Sequence, residues 1–290
     1  MIDPAEYQHP EDAAALRKME KIPGLSMMVK KFLSVGMETL VYGTNMASSI
    51  RLSKNQLPEF YNLLPPICET LGIDEPEFYL EMSPYPNACT FGDTRKYIKV
   101  TSALIEMMSE EELRAVIAHE CGHIASHHVL YHSMASMIVM FAGAFDAIAP
   151  LTVPVQYALL YWQRKSELTC DRAAALVTSP QTVTKVMARL SGGPKLLTGK
   201  VNMARWAEQA DEYDKIYNDG LWNKTLQIIA VSSQNHPFSA VRVREILRWA
   251  KSEQYRSLAH RLEHPEDTCP QCHKLIEPGW KFCKNCGYKL

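Results

Sequence analysis

The chain has 290 residues, of which 47% are hydrophobic and 22% are charged. This length accommodates one large domain or a medium domain with an appendage, and the apolar fraction excludes a wholly disordered chain. The formal net charge is −1, from 31 basic and 32 acidic residues, so nothing in the overall charge predicts an affinity for nucleic acid or for an anionic membrane.

The first residues, MIDPAEYQHPEDAAAL, are acidic and polar, and they contain no basic stretch followed by an apolar one. They do not resemble a secretory signal, and we therefore expect a cytoplasmic protein. Apolar residues recur at helical spacing over 12–48, with a break near Pro23 and Gly24, and again over 55–71. Gly72 is the expected carboxy-terminal cap of the second segment.

A small sheet is predicted in the next part of the chain. Short β-like runs at 78–80, 88–91 and 97–100 are separated by Pro, Ser and Asn residues, which favour turns. We expect these runs to form an antiparallel or mixed sheet. Ser109 then begins a helix as its amino-terminal cap, because Glu112 three residues later completes a capping box. The helical pattern continues to about residue 130.

This helix contains the sequence HECGH at residues 119–123. His119 and His123 are one turn apart on the same face, so both imidazoles can reach a single Zn²⁺. Glu120 lies between them and is suited to take a proton from a metal-bound water. The motif alone is a weak signal, but its position on a capped and otherwise apolar helix strengthens it.

A catalytic zinc site needs a third protein ligand, and a later helix offers one. Glu167 and Asp171 are four residues apart and share one helical face. Glu167 is the expected third ligand, and Asp171 is expected to accept a hydrogen bond from a ligand imidazole. The alternative is a solvated pair of charges on a helix surface. The apolar residues around the pair favour the metal site.

Other histidines and cysteines lie near these motifs. His128 and His132 are also four residues apart and could hold a second metal, but no glutamate follows His128, so we expect both to face solvent or neighbouring residues. His127 is rotated away from the metal by the helical period. Cys121 and Cys170 are expected to pack in the core without sharing the zinc-facing side.

Residues 134–162 are apolar enough to suggest a membrane, but Asp146, Pro150, Pro154 and Gln156 interrupt them. A spanning helix needs about 20 mostly apolar residues without such interruptions. We therefore expect a buried helix, a turn and a second helix, and membrane contact through this segment is not favoured. Further helical patterns cover 155–178, 181–191, 202–230 and 239–262.

The last 22 residues contain two CxxC pairs, which follow a linker at 264–268. In a chain with no predicted secretion signal, such pairs indicate metal ligands before disulfides. Four thiolates at this spacing predict a structural zinc ribbon, and its ligands are Cys269, Cys272, Cys283 and Cys286. Several lysines make the ribbon basic, so it could bind a protein partner, or less readily a nucleic acid.

Three motifs in order, HECGH, ELTCD and HPFSAVR, resemble peptidase family M48 of the gluzincin clan, over roughly residues 55–250. The resemblance implies an α+β fold: a mainly helical, zincin-like metallopeptidase domain with a small β-sheet, followed by the zinc ribbon. We expect a helical extension at 1–54, the metallopeptidase domain at 55–263 and the ribbon at 264–290.

The resemblance also implies the roles of individual residues. His119, His123 and Glu167 would bind Zn²⁺, with Glu120 as general base and Asp171 supporting a ligand. His236, which on spacing alone could equally be an ordinary helix entry, would stabilise the oxyanion, and Arg242 would support the site. The strand with Asn87, Ala88, Cys89 and Thr90 would pair with an extended substrate.

These assignments predict a zinc endopeptidase or oligopeptidase that acts on peptides or unfolded proteins, with one catalytic and one structural zinc. An alternative is an adaptor or chaperone-like protein, in which a latent peptidase domain holds clients and the ribbon recruits partners. Latency is a third possibility: residues 1–50 could cover the cleft, or a Cys89 thiolate could ligate the zinc.

Overall fold

A computed structural model describes residues 1–22, 25, 37–92, 94–140, 149–220 and 239–290. This part of the chain is mainly helical with one four-stranded sheet, which confirms the predicted α+β fold class. The helices, in chain order, are α1 (Pro10–Met19), α2 (Met37–Ser48), α3 (Pro58–Tyr61), α4 (Leu64–Leu71), α5 (Ser102–Met107), α6 (Glu110–Ala125), α7 (Val129–Met140), α8 (Ala149–Val177), α9 (Pro180–Gly192), α10 (Lys195–Thr198), α11 (Met203–Asn218), α12 (Ser239–Trp249) and α13 (Glu253–Glu263).

The strands are β1 (Ile50–Arg51), β2 (Glu77–Glu81), β3 (Ala88–Phe91) and β4 (Tyr97–Thr101), in the spatial order β1-β2-β4-β3. β2 runs parallel to β4, whereas β1 and β3 pair antiparallel with their neighbours. The sheet is therefore mixed. β3 lies at one edge, on the side that contacts α6 and α7. The two-residue strand β1 was not predicted, because it is too short to show an alternating pattern.

Helix α6 begins with the predicted capping box: the Ser109 side chain accepts from the Glu112 N–H, and the Glu112 carboxylate accepts from the Ser109 N–H. It ends at Ala125, so the prediction that it continues to about residue 130 is wrong. His127 is left-handed, with φ of 57°, and the N–H of His128 donates to the carbonyl of His123 at 2.9 Å. This pattern is a Schellman motif, which ends the helix and reverses the chain.

Gly122 lies where α6 and α8 are in close contact. A Cβ atom at this position would lie 3.0 Å from the Cβ of Ala173 and 3.2 Å from the Cα of Cys170. Glycine therefore permits a close backbone contact, which a Cβ atom at this position would widen by a few tenths of an ångström. Because α6 and α8 carry the two halves of the predicted zinc site, this contact sets how far apart those halves stand.

Segment 134–162 falls on α7 and α8, apart from 141–148, which lie outside the described residues. Met134, Ala135, Leu159 and Trp162 are buried in an apolar cluster with residues of the amino-terminal segment. Within the described ranges, no helix is both long enough and apolar enough to cross a membrane. The single helix expected at 239–262 is two helices, because Ser252 caps a new one, its hydroxyl accepting from the Tyr255 N–H at 3.1 Å.

The amino-terminal residues pack into the main body of the protein. Ile2 and Tyr7 belong to the largest apolar core. Asp12 of α1 is fully buried and accepts hydrogen bonds from Trp162 Nε1 at 3.0 Å and Thr169 Oγ1 at 2.6 Å. Burying a carboxylate is costly unless it is paired, so these contacts fix α1 against α8 close to Glu167.

Candidate active site

Two imidazoles and one carboxylate meet between α6 and α8. His119 and His123 project from α6, and Glu167 projects from α8; all three are buried. The Nε2 atom of His119 lies 3.3 Å from one Glu167 oxygen, and the Nε2 atom of His123 lies 3.3 Å from the other. The structure thus brings together the three ligands that the sequence predicts.

The spacing of these atoms fits a zinc ion. Two ligands bound tetrahedrally at about 2.0–2.1 Å from one Zn²⁺ stand roughly 3.3–3.4 Å apart. Both nitrogen–oxygen separations of 3.3 Å match this value. Two imidazoles and one carboxylate also form a donor set typical of catalytic zinc, in which a fourth position remains for water or substrate.

A salt bridge behind the ligands orients His119. Asp171 lies 3.1 Å from His119 Nδ1, and Arg242 of α12 donates to both Asp171 oxygens, at 2.8 and 2.6 Å. An imidazole that donates from Nδ1 presents the lone pair of Nε2 to a metal. Arg242 Nη1 also lies 3.1 Å from Glu167, so Arg242 holds two carboxylates of the site in place.

The charges around His119 favour a cation. Burial lowers the pKa of His119, but the carboxylates of Glu167 and Asp171 outweigh it and raise the pKa to about 10. Burial alone would raise the pKa of Asp171, yet Arg242 holds it below its ordinary value. Asp171 is therefore ionised, and the positive charge that the two carboxylates stabilise at His119 can belong to a proton or to a metal ion.

Glu120 has a hydrogen-bond partner that the sequence did not reveal. Thr90 Oγ1 on the edge strand β3 donates to Glu120 Oε2 at 2.6 Å. Glu120 is only 2% exposed, so this bond restricts its carboxylate. Thr90 lies on the predicted substrate strand, but no sequence pattern indicates this contact between residues 30 positions apart.

The predicted substrate strand borders an apolar pocket. Asn87 and Ala88 line this pocket together with His119 and Glu120. The opposite walls come from α5, α6, α8 and α9 and are mainly aliphatic, with Leu104, Val116, Ala174, Val183, Val186 and Met187. Cys89 alternates to the other side of β3. Burial raises the pKa of its thiol to about 12, which disfavours the thiolate that latency through Cys89 requires.

His128 and His132 contact neighbouring residues, as one of the two expected outcomes has it, whereas the expected orientation of Cys170 is wrong. The chain reverses at His127, so His128 is fully buried and lies 3.2 Å from Asp12. His132 returns to within 4.4 Å of His123, measured between ring centroids. Cys170 is one helical turn from Glu167 and does share the zinc-facing side: its Sγ lies within 4.8 Å of ring nitrogens of His119 and His123.

Two other predictions about this region have different outcomes. Cys121 and Cys170 are both fully buried, which confirms that they pack in the core. His236 falls within 221–238, which lie outside the described residues. Its predicted role as oxyanion stabiliser therefore stays a prediction.

The carboxy-terminal cysteines converge as expected. Sulfur atoms of Cys269 and Cys286 are 3.6 Å apart, as are those of Cys272 and Cys283. Four thiolates bound tetrahedrally at about 2.3 Å from Zn²⁺ would be roughly 3.8 Å apart, so the cluster fits this metal. Glu6 joins the amino terminus to the ribbon through an ion pair with Lys274, and to α13 through an ion pair with Arg261.

Sequence comparisons agree with this geometry. Residues 64–250 match the model of peptidase family M48, and residues 265–290 match that of a zinc-ribbon domain. The match covers more than half of the chain, and it includes both zinc-binding helices and Arg242. The chain therefore belongs to peptidase family M48 and is a zinc metallopeptidase with a zinc ribbon.

The similar proteins match different lengths of this chain. The plastoglobule-localized metallopeptidase 48, chloroplastic, of Arabidopsis thaliana is 35% identical over 265 residues, which cover 90% of this chain and 76% of that protein. Protease HtpX homologs from Tropheryma whipplei and Pelotomaculum thermopropionicum are 32% and 30% identical, and this chain spans 40% and 43% of their lengths. No solved structure matches the chain.

Proposed function

We propose that the protein is an endopeptidase or oligopeptidase that hydrolyses peptide bonds in peptides or unfolded proteins. The observation that carries this proposal is the convergence of three zinc-compatible donors with a buried carboxylate beside one apolar pocket. His119 and Glu120 line that pocket together, so a carbonyl that enters it meets the ligands and the base at once.

Each residue contributes a defined part of the chemistry. Zinc held by His119, His123 and Glu167 would polarise the scissile carbonyl and lower the pKa of a bound water. Glu120 takes the proton of the attacking water and delivers it to the leaving amine. Thr90 limits the rotation of the Glu120 carboxylate, and the Asp171–Arg242 pair maintains the tautomer and orientation of His119.

Substrate would bind as an added strand along β3. An edge strand offers backbone groups to an extended peptide, and this mode selects main chain over particular side chains. Asn87, Ala88, Cys89 and Thr90 would form the contact, and the aliphatic pocket beside Ala88 would take an apolar substrate side chain. His236 would add a donor to the oxyanion, as the family pattern implies.

The zinc ribbon would hold a second, structural ion and recruit a protein partner. Its surface carries Phe282 and Tyr288, which are 57% and 41% exposed, among several lysines. Aromatic residues between cationic ones suit a partner with apolar and acidic groups. A nucleic acid is the less favoured ligand, and the cytoplasmic location expected from the first residues stays a prediction.

Glu120→Gln tests the proposed catalytic role. The amide cannot accept the proton, so cleavage of unfolded protein and of quenched peptides should fall by at least about 100-fold. Two zinc ions per chain should remain, as measured by elemental analysis. Replacing Cys269 with Ser should remove one of the two ions and leave cleavage measurable.

The adaptor alternative makes a different prediction for the same preparations. If the domain only holds clients, a broad set of quenched peptides should show no cleavage that a chelator abolishes. Undiminished cleavage by Glu120→Gln, after contaminating proteases are removed, would eliminate Glu120 as the base. A single zinc ion that disappears with Cys269 would leave the catalytic site without its metal.

A further inference from the structure

The loop after α9 presents apolar side chains between basic ones. Leu196 and Leu197 of α10 are 78% and 63% exposed. Lys195 and Lys200 are exposed on either side of them, and Val201 is 38% exposed. We refer to residues 195–201 as the dileucine loop. Contiguous apolar surface of this kind marks an interaction site more often than isolated exposed residues do.

Buried hydrogen bonds and an ion pair hold the dileucine loop against the protein. Thr198 is buried, and its hydroxyl lies 3.1 Å from the carbonyl oxygen of Pro194 and accepts a hydrogen bond from Arg189. Arg189 is itself buried and pairs with Glu112 at 2.9 Å. Because Glu112 also caps α6, the loop is joined to the active-site helix through ion pairs and hydrogen bonds. The two leucines are therefore exposed on a loop whose position is fixed by buried contacts.

The sequence on both sides of the loop carries charged residues of one sign only. Residues 172–207 contain no aspartate or glutamate, although the chain as a whole has a net charge of −1. Arg189 is paired with Glu112 and buried, and Arg172 donates to backbone carbonyls of the amino-terminal segment. The exposed basic residues of this stretch are Lys185, Lys195, Lys200 and Arg205.

We propose that the dileucine loop docks on a lipid surface that contains anionic headgroups. Leu196 and Leu197 would enter the interface, and Lys195 and Lys200 would contact the headgroups. Apolar side chains flanked by cationic ones are the combination that interfacial membrane binding selects. A second copy of the chain is a poorer occupant, because a symmetric contact would place the lysines of both copies together.

Docking in this way would face the active-site pocket toward the lipid surface. Leu190, in the last turn of α9, lines that pocket with His119 and Glu120 and is 37% exposed. Only residues 191–194 separate it from the dileucine loop in the chain. This lipid contact differs from a membrane contact through residues 134–162, because it does not require a buried helix to leave the protein core.

Vesicle flotation tests the proposal without any substrate, so the result does not depend on peptidase activity. The full chain is mixed with vesicles of phosphatidylcholine alone or with one third phosphatidylglycerol. We expect binding to the anionic vesicles, weakened by salt. Replacing both Leu196 and Leu197 with Ser should lower the partition coefficient at least about tenfold. Replacing both Lys195 and Lys200 with Glu should lower it at least about tenfold at low salt.

The matched control replaces Leu40 and Met46 with Ser. Both residues are also exposed, at 59% and 51%, but they lie on α2. This variant should bind vesicles as the wild type does, and thermal unfolding should show that all variants are folded. Absence of binding by the wild type, or equal binding by the Leu196/Leu197 variant, would overturn the proposal. A third result would also overturn it: the wild type does not bind vesicles but forms a dimer in sedimentation, and the Leu196/Leu197 variant loses that dimer.

Discussion

Replacing Gly122 with Ala tests how the spacing of the zinc ligands is set. The new Cβ would lie 3.0 Å from Ala173 Cβ and 3.2 Å from Cys170 Cα. Carbon atoms normally meet at about 3.5–4.0 Å, so α8 must move away by a few tenths of an ångström. Neither opposing atom is the end of a flexible side chain, and the movement therefore carries Glu167 with it.

The expected loss is larger for zinc binding than for stability. Alanine gains about 1 kcal/mol over glycine in a helix interior, whereas overpacking costs about 1–3 kcal/mol. The free energy of unfolding should thus fall by no more than about 2 kcal/mol. Zinc sites tolerate distance errors of only about 0.2 Å, so the affinity of the peptidase site should fall at least about tenfold.

Competition with a zinc-binding dye measures this affinity, and the ribbon ion serves as an internal reference. Gly43→Ala is the matched control, because a Cβ at Gly43 on α2 would meet nothing within 4 Å. That variant should gain up to about 1 kcal/mol and bind zinc normally. If Gly122→Ala retains wild-type affinity at the peptidase site, the contact between α6 and α8 does not set the ligand spacing.

Two further predictions concern single contacts. Thr90→Val removes the hydrogen bond to Glu120 and should lower kcat about tenfold, with KM and zinc content unchanged. Thr90→Ser keeps the hydroxyl and should retain the wild-type kcat. If the valine variant is as active as the wild type, Thr90 does not position Glu120. His9, with Arg244, holds the pKa of Glu245 at about 2, below its ordinary value of 4.5. This carboxylate therefore stabilises the fold above pH 4.5 and loses that effect as the pH falls toward 2. In urea unfolding, the destabilisation by Glu245→Gln should be present at pH 7 and shrink at pH 3; a constant difference would contradict this.

Local chemistry was predictable wherever neighbouring residues determine it. The capping box at Ser109 and Glu112 formed as expected, because its two hydrogen bonds join residues three positions apart. The left-handed Gly72, with φ of 67°, ends α4 for the same reason. The Schellman turn at His127 was missed, since histidine there lacks the glycine that normally signals a left-handed residue.

Contacts between residues that are far apart in the sequence were harder to predict. The placement of Thr90 against Glu120 depends on how β3 lies along α6, and no periodicity encodes that. The burial of His128 beside Asp12 joins residues more than one hundred positions apart and follows from the chain reversal. Cys170 was assigned to the wrong side because the prediction considered its immediate neighbours rather than the turn that it shares with Glu167.

The amino-acid sequence by itself determined the class of site: HECGH, ELTCD and the paired CxxC motifs specify ligands whose chemistry and local spacing select zinc. Those spacings are set by the helical repeat and by short turns, which local residues control. Only the tertiary structure decided which carboxylate reaches which imidazole, what restrains Glu120 and which leucines remain exposed. These outcomes depend on the packing of α6, α8 and β3, where a glycine at position 122 determines distances that no stretch of sequence displays.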